Sequence, residues 1–118
     1  MLVYACNDLL FASKIASATR AAGATARPAR STAMLRARLD RVEDGKPNGP
    51  VAAVWVDLER EDALELIAMA AGRADVLAFG PHVDAGRLRA AAAAGAEAMP
   101  RGRFVAELDA RAAALAAG

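Results

Sequence analysis

Asp57 closes the most apolar run of the chain, Val51-Ala52-Ala53-Val54-Trp55-Val56, and Glu59, Glu61 and Asp62 follow it. A carboxylate placed where a buried strand leaves the core can accept a group, ligate a cation or simply favour the start of the next helix. The other residues able to join it are few. Cys6, Asn7 and Asp8 end a first apolar run, Gly80-Pro81 ends a later one, and Arg101-Gly102-Arg103 follows the last. Together they form a candidate strand-end pocket of Cys6, Asn7, Asp8, Gly80, Pro81, Arg101 and Gly102 around Asp57, with the glycines and arginines suited to an anion. The single cysteine reads as a small core residue, and the single histidine, His82, as an exposed loop residue. No phosphate-loop pattern, no Gly-x-Gly-x-x-Gly after the first strand and no zinc-ligand spacing is present.

These positions need a scaffold that brings strand ends together. Leu2–Cys6 suits a first buried strand; Asp8 offers cap chemistry to a helix carrying Phe11, Ile15, Ala18 and Ala22, which Gly23 ends. Ala24–Ala29 is a weak second strand, placed at an edge by Pro28. Ser31 caps a helix with Leu35, Leu39 and Val42 inward, and residues 43–50 read as an exposed loop. After the 51–56 strand comes a helix with Leu64, Ile67, Ala68 and Ala71 inward. Then follow a strand over Asp75–Gly80, a helix capped by Asp84 with Leu88, Ala91 and Ala92 inward, a short strand over Ala96–Met99 stopped by Pro100, and a final helix marked by Phe104, Val105, Leu108, Ala112 and Leu115. Strict alternation of five strands and five helices predicts a doubly wound α/β fold, a five-stranded parallel sheet in the order 2-1-3-4-5 within a flavodoxin-like (βα)5 three-layer sandwich. Its switch point, between strands one and three, puts Cys6, Asn7, Asp8 and Asp57 in one crevice.

The bulk numbers agree with one domain over residues 1–118. Fifteen basic against fourteen acidic residues leave a net charge of +1, which argues against a broad nucleic-acid footprint. One cysteine excludes an internal disulfide and favours a reducing compartment; with no signal-peptide pattern and no apolar stretch long enough for a bilayer, a cytoplasmic location without membrane or nucleic-acid partners is expected.

The segments Val54-Trp55-Val56-Asp57 and Val76 to Asp84, continuing to Gly95-Ala96-Glu97, resemble the receiver domains of two-component response regulators over the full length of the chain. The resemblance implies a phosphoacceptor at Asp57, a divalent cation held by an acidic pair after strand one together with that aspartate, a hydroxyl after strand four and a lysine after strand five. Here the acidic pair becomes Cys6 and Asn7 with Asp8 one residue on, the hydroxyl becomes Gly80, the lysine becomes Gly102 between Arg101 and Arg103, and the switch aromatic becomes Met99. The leading expectation is a stand-alone pseudo-receiver of the phosphorelay type, not an enzyme and without a cofactor, working by protein contact through the fourth helix, fifth strand and fifth helix, where Arg87, Arg89, Arg103 and Arg111 lie. Its partners would be a histidine kinase, an output protein or a second copy. One alternative is an active phosphoacceptor with Mg²⁺ held by Asp8 and Asp57; another is a small-ligand-binding protein or enzyme on the same fold.

Overall fold

The computed structural model describes residues 1–43, 46–47 and 49–117. Five strands form the main sheet: β1 (Leu2–Ala5), β2 (Ala26–Pro28), β5 (Ala53–Asp57), β6 (Asp75–Gly80) and β7 (Glu97–Pro100). All neighbours are parallel in the spatial order β2-β1-β5-β6-β7, which is the expected 2-1-3-4-5 order counted within this sheet. Five helices alternate with them: α1 (Leu9–Ala21), α2 (Thr32–Leu39), α3 (Ala63–Ala70), α4 (Ala85–Ala93) and α5 (Arg101–Ala117). None of the described helices is long and apolar enough to cross a membrane.

Side-chain alternation along the strands sorts the core into two layers. Val3, Ala5, Val54 and Val56 pack with Leu35, Leu66, Ile67 and Ala91 beneath α2, α3 and α4. Leu2, Trp55, Leu77, Phe79 and Met99 pack with Phe11, Ile15, Phe104 and Leu108 beneath α1 and α5. In the second layer Phe79 and Phe104 stack with ring centroids 4.4 Å apart, and Trp55 meets Phe104 edge-on at 5.3 Å. Because β5 is buried on both faces over its whole length, it carries no polar residue until Asp57.

Several boundaries differ from the sequence reading. Asp57 is itself the last residue of β5, and Val51 and Ala52 precede the strand. Likewise Pro100 is the last residue of β7 rather than its stop, since an edge strand tolerates proline, and α5 starts directly after it. Arg101-Gly102-Arg103 is therefore the first turn of a helix. Helix α3 buries Ala63, Leu66, Ile67 and Ala70 and leaves Leu64 47% exposed, the 63/66/67/70 stripe being the one turned to the sheet. On α4, Ala92 is exposed while Ala91 is buried. Val42 leaves α2 and pairs in a two-stranded antiparallel ribbon, β3 (Val42–Glu43) with β4 (Lys46–Pro47), where a loop was expected. Residues 44, 45 and 48 of that expected loop lie outside the described residues.

Candidate functional site

The register that sets Ala5 opposite Val56 and Asp57 opposite Phe79 carries Cys6, Asp57 and Gly80 to one edge of the sheet. Asp57 sits at that edge only 2% exposed. Its Oδ1 accepts a hydrogen bond from the backbone N–H of Glu59 at 2.9 Å. Its Oδ2 faces Arg101 Nη2 at 3.4 Å and Cys6 Sγ at 3.5 Å. Both oxygens are thus engaged from within the chain, and the buried charge is matched by a guanidinium.

Arg101 reaches this position because α5 begins immediately after β7, so its first side chain can turn back over the sheet edge. The same guanidinium holds Glu59 Oε2 at 3.1 Å and lies 4.9 Å above the Phe11 ring. In ungapped register the basic position after strand five is Gly102; in the fold Arg101 supplies the cation, and a Cβ at Gly102 would meet open space.

Cys6 stays a thiol. Burial, offset by a backbone hydrogen bond at Asp8 and reinforced by the Asp57 charge, pushes its pKa up to about 11. Its one S–H can serve the Asp8 carbonyl at 3.6 Å or Asp57 at 3.5 Å, but only one at a time. At neutral pH roughly one thiol in 10⁴ would be thiolate, which is poor provision for a nucleophile.

The largest departure from the sequence reading is Arg60. From the turn after β5 its Nη1 donates to Asn7 Oδ1 at 2.6 Å, while Nε and Nη2 form a fork on Asp62 at 2.8 and 2.9 Å. Nη2 also donates to the Arg30 carbonyl at 3.1 Å. One side chain therefore ties together the loops that follow β1, β2 and β5. The hydrogen bonds to Asp62 raise the Arg60 pKa, and reciprocally the Arg60 hydrogen bonds hold Asp62 below the usual carboxylate range. In the sequence Arg60 lies within an acidic stretch, and its one signal is that of a lone basic residue between Glu59 and Glu61.

Gly80, the position of the expected hydroxyl, is complemented by Leu58. A Cβ built on Gly80 would come 3.1 Å from Leu58 Cβ and 3.3 Å from its Cδ1, and Leu58 is 3% exposed. An aliphatic side chain from the residue beside Asp57 thus fills the space over Gly80. Pro81 is half-buried next to it, and His82 is exposed. Arg87 folds back from α4 to donate to the Leu58 carbonyl at 2.9 Å, with Asp84 at 3.2 Å from its Nε. Of the other arginines assigned to an interaction surface, Arg103 is paired with Glu107 at 2.6 Å. Arg111 bridges Glu97 and Glu107, each at 2.8 Å. Arg89 is exposed.

A divalent cation does not fit the residues present. Asp8 spends its carboxylate capping α1 through the Phe11 N–H at 3.1 Å. Asn7 already receives Arg60, Asp57 faces Arg101 and a thiol, and no cluster of three or more acidic, histidine or cysteine side chains among the described residues could hold a metal ion.

With this geometry in place, comparisons with known proteins supply context. No family model matches the sequence, and no curated protein does. Solved structures match over nearly the whole chain. A response regulator from Thermotoga maritima aligns with a TM-score of 0.72 at 18% identity, covering 99% of this chain and 98% of that one. A response regulator from Burkholderia pseudomallei, solved with a phosphorylated aspartic acid, a calcium ion and citrate, aligns at 0.67 and 19% identity over 98% of this chain and 70% of that one. An atypical orphan response regulator, reported with a new phosphorylation-independent regulatory mechanism, aligns at 0.64 and 16% identity over 94% and 93%. The fold is that of response-regulator receiver domains.

Proposed function

We propose that the chain is a receiver-type module of two-component signalling that works through protein contacts without phosphoryl transfer to Asp57. One observation carries the reading: at 2% exposure both Asp57 oxygens are already committed, to the Glu59 N–H, to Arg101 and to the Cys6 thiol. Group transfer to a carboxylate needs an accessible oxygen and donors aimed at the charge that develops. The donor expected at Gly80 is replaced by packing against Leu58, and losing one such donor typically costs about 10²–10³ in rate. A phosphorylation-independent mechanism, reported for the atypical orphan regulator that shares this fold, is the behaviour such a crevice suits.

The contact surface we assign comprises α4, β7 and α5. Arg103, Glu107, Arg111 and Glu97 form a connected run of ion pairs there, so their charges are pre-positioned for a partner. Arg89 adds an exposed positive charge on α4. The partner class is a protein, with a kinase, an output protein and a second copy of the chain as the three forms it takes. Incubation with a small acyl phosphate and Mg²⁺, read by intact mass, tests the central claim. An unchanged mass is expected; a gain of one phosphoryl group that vanishes in Asp57→Asn would establish the active-phosphoacceptor alternative instead.

A further inference from the structure

We infer that Arg60 is a second resident cation of the crevice beside Arg101, a built-in positive charge that keeps divalent ions out; this rests on the reading of an unphosphorylated Asp57. Asp8, Asp57, Glu59, Glu61 and Asp62 all gather at this edge of the sheet. Five carboxylates at one edge attract a cation, and a divalent ion entering there would compete for the oxygens of Asn7 and Asp62. Arg60 reaches Asn7 and Asp62 first, while Asp57 faces Arg101. Its side chain is only 10% exposed, its Nη1 is 2.6 Å from Asn7 Oδ1, and its fork covers both oxygens of Asp62. Four hydrogen bonds to partners on three loops fix its orientation at both edges of the guanidinium plane. The loops after β1, β2 and β5 are thereby drawn together by a covalently attached charge, independent of any dissolved ion.

The test uses the full chain, isotope-labelled for amide spectra, with Mn²⁺ as the probe. Paramagnetic broadening centred on Cys6, Asn7, Asp57 and Asp62 reports an ion in the crevice. The unmodified chain should show none there at concentrations that broaden this region in Arg60→Ala, whose affinity should rise about tenfold or more once the like charge is gone. Arg60→Lys keeps the charge and should keep the exclusion. Should Arg60→Ala fail to fold, Arg60→Gln removes the charge while retaining an amide donor for Asn7, and the same gain is required of it. Broadening of the crevice in the unmodified chain overturns the inference, as does an Arg60→Ala or Arg60→Gln spectrum that responds no more than the parent. Phosphoryl uptake by the parent chain would instead sink the functional reading and leave the Mn²⁺ comparison to stand, so the two failures are told apart.

Discussion

Replacing Arg101 with methionine removes the charge facing Asp57 while keeping a side-chain stem of similar length over Phe11. The two charges lie 3.4 Å apart. Coulomb attraction at that distance is about 1.2 kcal/mol in a water-like medium and about 5 kcal/mol at an effective dielectric constant of about 20. Asp57 is 2% exposed and the Arg101 side chain 32% exposed, so the pair belongs between these limits. Asp57 would retain the Glu59 N–H, which softens the loss. We expect Arg101→Met to destabilise the fold by about 1.5–3 kcal/mol, less than the roughly 3–5 kcal/mol of a fully buried pair broken on one side. Asp57→Asn removes the buried charge itself with little change of volume and should cost about 1 kcal/mol or less. In the double variant no buried charge is stranded, so its loss should fall short of the sum by about 1–2 kcal/mol. Urea unfolding of all four proteins measures the cycle. If Arg101→Met unfolds with the parent and the coupling is zero within error, the ion pair does not hold Asp57 and the argument for a pre-committed carboxylate fails.

The Cys6 thiol, pushed up to about 11, should react with iodoacetamide near pH 8 about a hundredfold more slowly than a free thiol of pKa about 8.5. Asp57→Asn should speed it only in part, since burial is the leading cause; a rate equal to that of a free thiol would refute the placement. Gly95 has φ +113° and an added Cβ would lie 2.9 Å from Ala71 Cβ, so Gly95→Ala should cost about 2–4 kcal/mol in denaturant. Gly102→Ala, in a helix with open space around it, should instead stabilise by about 0.5–1 kcal/mol. Arg111 and Arg103 hold Glu97 and Glu107 below their ordinary 4.5, led by Arg111 for the first and Arg103 for the second. Depressed carboxylates add stability above pH 4.5 that is lost as pH falls through their folded values. The Tm gap between parent and Arg111→Ala should therefore close on acidification, and a gap that stays constant would contradict it.

The scaffold was legible because β5 and β6 are apolar runs and three of the five helix starts carry a recognisable side-chain cap. Asp8, Ser31 and Asp84 each accept from an N–H three residues on. Asp57 was conspicuous as the first charge after a run buried on both faces. Arg60 was not, because its meaning lies in Asn7 and Arg30, which are distant in sequence, and a basic residue among acids reads locally as surface. Leu58 and Gly80 are complementary in volume, a relation that exists only once β5 and β6 are aligned. On α3 the start agrees with the reading but the inward stripe is Ala63, Leu66, Ile67 and Ala70, since a segment rich in Leu, Ile, Met and Ala offers more than one apolar stripe. The β3–β4 ribbon, two residues on each side and ending in a proline, is too short to leave any periodic trace.

Trp55, the single tryptophan, is 3% exposed and edge-on to Phe104, on the sheet face away from α2, α3 and α4. The one indole thus sits in the aromatic layer, shielded from solvent and joined through Phe104 to Phe11, the ring beneath Arg101. Its emission can be followed without any label, reporting loss of that layer as a red shift while the opposite layer stays optically silent.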